Sequence, residues 1–276
     1  MGRMVPLLTL NDGSRIPAIG LGTYPMKEEA PTAVRSALEL GYRLVDTAAS
    51  YGNEEGVGRG IAESGVPREE IVVTTKLRGQ DQGYESTLRA FEASRRKLGV
   101  EYVDLYLIHW PLPRVDKYVD SWRAMITLRE EGVVRSIGVS NFSVAHLDRI
   151  IAETDVAPAV NQIELHPYFT QRDLRAADAE RTVLTQSWRP LARGAELLTE
   201  PVIEQIAGRH DVEVSQVVLR WHVQLGVLPI PKSSSPVRQR SNLEVFGFEL
   251  SESEMAQISA LHRGRQGGDP DVHEEF

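Results

Sequence analysis

The sequence predicts a (β/α)8 TIM barrel with an N-terminal β-hairpin closing its floor and extra helices near its C-terminus. Three observations lead there. Short apolar runs alternate strictly with amphipathic stretches, which demands a parallel sheet. Counting from Ile19 gives eight such runs at a spacing of roughly thirty residues, the repeat of a barrel rather than an open sheet. Three of the runs end in a polar residue at the rim: Asp46, Lys76 and His109.

The elements follow in order. Leu7 to Leu10 and Ser14 to Ile16 flank Asn11-Asp12-Gly13, a strong hairpin signal. Residues 18–22 read as the first barrel strand, with glycines that allow close backbone approach. Helix 29–40 has Ala33, Ala37 and Leu40 on one face and Gly41 as its stop. Strand 43–46 precedes helix 53–64, strand 71–75 precedes helix 84–98, and Gly99 ends the latter. Strand 103–108 leads to helix 117–131, and strand 133–139 to helix 143–153. Strand 159–163 leads to a helix at 171–179, and strand 182–187 to two helices, 200–208 and 213–225. Strand 227–230 precedes helix 236–245, and a last helix covers 252–261. No linker divides the chain, so residues 1–276 are expected to form one domain.

Bulk properties narrow the function. The net charge is −8, which gives no overall support for a duplex-binding or membrane-surface role. An anionic ligand then needs a local basic cluster. There is no cysteine, which excludes disulfides, thiolate catalysis and cysteine metal sites. The histidines lack metal-ligand spacing, and His273-Glu274-Glu275 lacks the second histidine of a zinc motif. Gly56-Val57-Gly58 misses the third glycine of a dinucleotide fingerprint and lies in a helix. No apolar run is long enough for a signal peptide or a membrane span. A cytoplasmic monomer acting on a small molecule is the expectation.

Residues at the C-terminal ends of barrel strands converge on one pocket. Asp46, Lys76 and His109 qualify, and Tyr51 lies on the loop after Asp46. A phenol with a free pKa of about 10 is a slow acid at neutral pH. A nearby ammonium favours the phenolate and makes the proton easier to donate. An aspartate behind the lysine keeps it charged, and a histidine opposite can bind the substrate oxygen. This set suits protonation of an oxygen on which negative charge develops, as in reduction of a carbonyl by hydride. Any one of these residues alone reads equally well as a satisfied core group. The convergence of all four argues for chemistry.

With those residues in place, the sequence resembles the aldo-keto reductases along essentially its whole length. The motifs are Leu44-Val45-Asp46-Thr47-Ala48 through Tyr51-Gly52-Asn53-Glu54, Thr75-Lys76, and Asp104 through His109-Trp110-Pro111. They continue with Gly138-Val139-Ser140-Asn141-Phe142, Asn161 through Pro167, and Ile230-Pro231-Lys232-Ser233. Ser187-Trp188, Arg220-Trp221-His222 and Gly268-Asp269-Pro270-Asp271 look like the bacterial 2,5-diketo-D-gluconic acid reductases.

The resemblance implies an NADPH-dependent reductase of aldehydes, ketones and keto or diketo acids. It makes Tyr51 the general acid, tuned by Lys76 and Asp46, with His109 orienting the carbonyl. It assigns Ser140, Asn141 and Gln162 to the nicotinamide carboxamide, Trp188 to its ring face, and Arg189-Pro190-Leu191-Ala192 to the pyrophosphate. Gly22 also falls at the cofactor. Lys232, Ser233 and Arg238 would hold the 2′-phosphate and Asn242 the adenine. Tyr24, Arg78, Trp110 and His109 would surround the substrate. Three positions depart from the pattern. Leu77-Arg78-Gly79 replaces a common tryptophan, Ser241-Asn242 replaces Glu-Asn, and Arg189 stands where a small residue is usual.

Two other functions compete. One is a cofactor-binding regulatory subunit, of the kind that partners ion channels; the chain looks more like the stand-alone bacterial enzymes. The other is a Schiff-base aldolase acting through Lys76, which Asp46 opposes by keeping the amine charged.

Overall fold

The computed structural model describes residues 5–275 apart from Arg193 and Ala195. The hairpin is β1 (Leu7–Thr9) and β2 (Arg15–Pro17), paired antiparallel. Eight strands then alternate with helices: β3 (Leu21–Gly22), α1 (Ala30–Leu40), β4 (Leu44–Asp46), α2 (Glu54–Glu63), β5 (Val72–Leu77), α3 (Tyr84–Leu98), β6 (Val103–Ile108) and α4 (Tyr118–Glu130). The second half holds β7 (Val134–Ser140), α5 (Val144–Thr154), β8 (Val160–Glu164), α6 (Arg172–Glu180), β9 (Leu184–Trp188), α7 (Pro201–His210), α8 (Val214–Gln224), β10 (Leu228–Ile230), α9 (Pro236–Leu243) and α10 (Glu252–Ser259).

The barrel strands run in sequence order, β3 to β10, and every pair is parallel. The seam between β3 and β10 is closed by backbone alone. Gly20 N–H donates to Pro229 O at 3.1 Å, Gly22 N–H donates to Pro231 O at 3.0 Å, and Gly22 bridges Lys232. Only glycine fits there: a Cβ on Gly20 would lie 2.7 Å from the Leu44 side chain and 2.8 Å from that of Ile230. The strand itself, Leu21–Gly22, is shorter than the 18–22 expected, although the Gly20 backbone already bonds across the seam.

The hairpin closes the floor as expected. Leu10 and Ile16 are buried in one cluster with Leu44, Val160 and Leu228, residues that start barrel strands. Asn11 reaches Pro158 O at 2.9 Å and Ser14 reaches Ser136 at 2.8 Å, so polar groups anchor the plug as well. The main apolar layer lies outside the sheet, where Val34, Val57, Phe91, Trp122 and Leu147 of α1 to α5 pack on Val45, Val73, Tyr106 and Val139 of the strands. Burial of these stripes is the main term that drives the helices onto the barrel. The expected stops hold: Gly41 has φ 114° and Gly99 has φ 65°, conformations that glycine adopts without a Cβ clash. Among the described residues no helix is long and apolar enough to cross a membrane.

Candidate active site

Register places the polar strand ends side by side. Asp46 pairs with Thr74, Lys76 pairs with Leu107, and His109 directly follows the end of β6. Lys76 is fully buried, and its ammonium has three oxygen partners. It donates to Asp46 Oδ1 at 2.5 Å, to Thr47 O at 2.9 Å and to the Tyr51 hydroxyl at 3.4 Å. Gln162 donates to the second oxygen of Asp46 at 2.7 Å, and to Gln186 at 3.0 Å. A buried lysine is stable here because every part of its charge is answered.

Tyr51 ends a short 3₁₀ turn, Ala49–Tyr51, that Gly52 closes at φ 65°. Asn53 fastens this turn to the loop after β3, accepting from Thr47 at 2.7 Å and donating to Thr23 O and Met26 O. That loop carries Tyr24, whose exposed ring sits 5.0 Å from the Tyr51 ring. The His109 ring lies 5.6 Å away on another side of Tyr51. Tyr24, Tyr51 and His109 thus cluster at the same end of the barrel.

The electrostatics correct one expectation. Burial depresses the Lys76 pKa, but Asp46 and Tyr51 outweigh it, so the ammonium is held charged above its ordinary range. Burial is the largest influence and raises the Tyr51 pKa; Lys76 lowers it, the charges of Asp46 and Glu275 raise it further, and the net shift is upward. The phenol is therefore firmly protonated in this state. Lys76 acts in the direction the sequence suggests but does not bring the net value down.

The cofactor candidates also converge. Ser140 ends β7 and Asn141 follows it at φ 62°. Ser140 donates to Gln162 O at 2.7 Å, and Asn141 donates to His109 O and to Ser140 Oγ at 3.0 Å each. Trp188 ends β9, and its indole N–H donates to Asn141 Oδ1 at 2.8 Å. One hydrogen-bonded set thus orients an aromatic face beside two amides and a hydroxyl at the barrel mouth. Arg189 stacks its guanidinium on Trp188 at 5.1 Å, and a tight turn follows, with Ala192 N–H donating to Arg189 O across Pro190 and Leu191. Lys232 is exposed after β10, and Arg238 is exposed in the first turn of α9. Ser233 is buried between them and accepts from Ser235 N–H at 3.2 Å. Asn242 is buried and hydrogen-bonds the Tyr42 hydroxyl.

Arg78 and Trp110, the expected substrate contacts, both have partners within the chain. The Arg78 guanidinium pairs with Asp81 at 2.6 Å within its own turn. Trp110 is 8% exposed because the His273 ring covers it at 4.0 Å. Sequence reasoning missed two groups at this mouth. Glu275 lies 2.6 Å from His109 Nδ1 and accepts from Gly79 N–H at 3.1 Å, and Ser50 lies 3.2 Å from the same His109 nitrogen. No local pattern could have marked Glu275, since it is 196 positions from Gly79. Ser50 was legible in principle as the residue before Tyr51. Among the described residues no cluster suited to a metal ion is present.

Comparison with known proteins identifies the family. Residues 18–263 match the Aldo/keto reductase family. The chain is 50% identical over 274 residues to 2,5-diketo-D-gluconic acid reductase B of Corynebacterium sp. (strain SHS752001), covering 99% of each chain. It is 47% identical over 272 residues to methylglyoxal reductase DkgA of Yersinia pestis, covering 98% of each. Among solved structures, a variant of Gox0644 in complex with NADPH superposes with a TM-score of 0.95 at 46% identity, covering 99% of this chain and 100% of that one.

Proposed function

The chain belongs to the aldo/keto reductase family, and from that premise we propose that it reduces aldehydes, ketones and keto or diketo acids with NADPH, Tyr51 serving as the general acid. The observation that carries this reading is the Lys76 ammonium bridging the Asp46 carboxylate and the Tyr51 hydroxyl in a buried site. The donor set fits a nicotinamide cofactor: two amides and a hydroxyl next to the Trp188 face, with cations of Lys232 and Arg238 displaced toward α9. When bound, that cofactor supplies a hydride to the carbonyl carbon.

The chain's own residues do the rest. His109 and Tyr51 hold the carbonyl oxygen between ring nitrogen and phenol. As the C–O π electrons move onto that oxygen, the Tyr51 proton moves to it and an alcohol results. The phenolate left behind is stabilised by Lys76, whose charge Asp46 maintains. A strongly protonated phenol is in the right form before the reaction, and the ammonium is worth most once the phenolate forms. Ser140, Asn141 and Gln162 would fix the ring face, Gly22 and the turn at Arg189 to Ala192 would follow the pyrophosphate, and Lys232, Ser233 and Arg238 would take the 2′-phosphate beside the α9 N-terminus. Asn242 would reach the adenine from its place beside Tyr42.

The relatives' names, a diketogluconic acid reductase and a methylglyoxal reductase, support small dicarbonyls as the substrate class. The raised Lys76 pKa weighs against Schiff-base chemistry, which needs a neutral amine. The same reading takes the chain as one domain working as a cytoplasmic monomer; elution near 30.8 kDa would agree. NADPH oxidation against a panel of aldehydes, dicarbonyls and keto sugar acids tests the proposal. Turnover of dicarbonyls is expected. An inert panel together with borohydride trapping of a substrate on Lys76 would replace it with the aldolase reading.

A further inference from the structure

The segment after α10 crosses the mouth of the barrel, and its contacts fall into two groups. The first is firm. Glu164, fully buried at the end of β8, accepts from Gln266 N–H at 3.1 Å and Gly267 N–H at 2.8 Å. Gly267 passes so close to Trp188 that a Cβ would lie 2.5 Å from its ring, and one on Gly268 would lie 2.6 Å from His273 and 3.1 Å from Trp110. The second group lies at the far end. Glu274 pairs with Arg114 at 3.2 Å, but both side chains are about half exposed, and such a pair is weak. Glu275 then turns its carboxylate into the opening beside Tyr51.

Three donors from three loops meet that carboxylate. His109 Nδ1 lies 2.6 Å from one oxygen, Gly79 N–H donates to the other at 3.1 Å, and the Ser50 hydroxyl adds a third bond. Burial raises the Glu275 pKa, but these donors outweigh it and keep the group ionised. The His109 ring is also the group expected to orient a substrate carbonyl. Glu275 engages that ring at Nδ1, which leaves Nε2 to a carbonyl oxygen but places the carboxylate in the same opening.

Building on the reductase reading above, we propose that Glu275 is an internal occupant of the substrate pocket, and that the preferred substrates carry a carboxylate that displaces it by taking the donors of Gly79, Ser50 and His109. The glycine-anchored part of the segment stays in place while the end beyond Pro270 withdraws. Being tethered, Glu275 competes at a high effective concentration, so weak or neutral ligands are excluded most.

The test is the equilibrium affinity of the cofactor-loaded protein for benzoate, a carboxylate with no reducible carbonyl, measured by calorimetry. If the pocket is self-occupied about nine-tenths of the time, Glu275→Ala binds benzoate about 10-fold more tightly than wild type. Glu275→Gln, which keeps the size and loses the charge, should fall between them. Equal affinities in wild type and Glu275→Ala would overturn self-occupation. Weaker binding by Glu275→Ala would make Glu275 a wall of the ligand site, and absence of benzoate binding in both would remove the carboxylate cradle; either result overturns the proposal. None of these readings depends on turnover, so they stand apart from the panel that tests carbonyl reduction.

Discussion

The centre of the site and its basic edge are built in opposite ways. At the centre, Lys76 and Asp46 are buried and already bonded to each other, to Thr47, to Tyr51 and to Gln162. At the edge, Lys232 and Arg238 lie on the surface, while the scaffold beneath them is tight. Gln239 in α9 donates to Ala33 O and Ser233 O at 2.9 Å each and so pins this helix to α1 and to the turn after β10. The centre is organised before any ligand arrives. The edge offers exposed charge on a fixed support, and in the proposed reading it takes the phosphate only on binding. A substitution at the centre should therefore cost fold and chemistry together, whereas one at the edge should cost affinity for one ligand and nothing else.

The largest effect is expected from Lys76→Met. It leaves the Asp46 carboxylate buried without its counter-charge, which typically destabilises by about 3–5 kcal/mol. Urea unfolding would show this, alongside loss of turnover. A loss below about 1 kcal/mol, the scale of an exposed pair, would mean that the centre is not the preorganised unit described.

Arg238→Ala comes next and probes the edge. A charge-assisted contact is worth about 1.5–3 kcal/mol, so NADPH should bind roughly 10- to 150-fold more weakly. NADH, with no phosphate there, should be unaffected, and so should stability. Quenching of tryptophan fluorescence by each cofactor reads both constants. Equal weakening of the two cofactors would make Arg238 part of the loop's fold, and the contrast with the centre would fail.

Arg78→Ala should do least. Its guanidinium is engaged by Asp81, its side chain is 43% exposed, and such a pair contributes about 0.2–1 kcal/mol. The kcat/KM values of a keto acid and of a neutral aldehyde of similar size should change alike. A selective loss for the keto acid would show that Arg78 leaves Asp81 for the substrate, as its place in the sequence first suggested.

The same contrast explains what the sequence revealed. Asp46, Lys76 and His109 were legible because each ends an apolar strand, and parallel strands of a barrel must bring such ends together. The eight strands and their helices were legible from alternation, with boundaries differing by a few residues. Lys232 and Arg238 were reached only through the family resemblance, which their charge beside a helix start on an acidic chain then supports. The resting acidity of Tyr51 was not legible, because it depends on how far burial outweighs Lys76. The pairing of Arg78 with Asp81 was not legible either, since it depends on how a short 3₁₀ turn folds back. Least legible was the segment at His273 and Glu275. It carries no periodicity, and its place over Trp110 and His109 is set by two glycines and the buried Glu164 far earlier in the chain.

The central claim is that Tyr51 donates the proton, and Tyr51→Phe tests it most directly when cofactor binding and single-turnover reduction are measured on the same protein. The substitution keeps the ring that packs between Tyr24 and His109 and removes only the hydroxyl that meets Lys76. NADPH should bind as in wild type, while the reduction rate should fall by roughly 10²–10⁴, the contribution of a positioned general acid. Reduction at near wild-type rate with normal NADPH binding would contradict the account and leave His109 as the remaining donor beside the carbonyl oxygen.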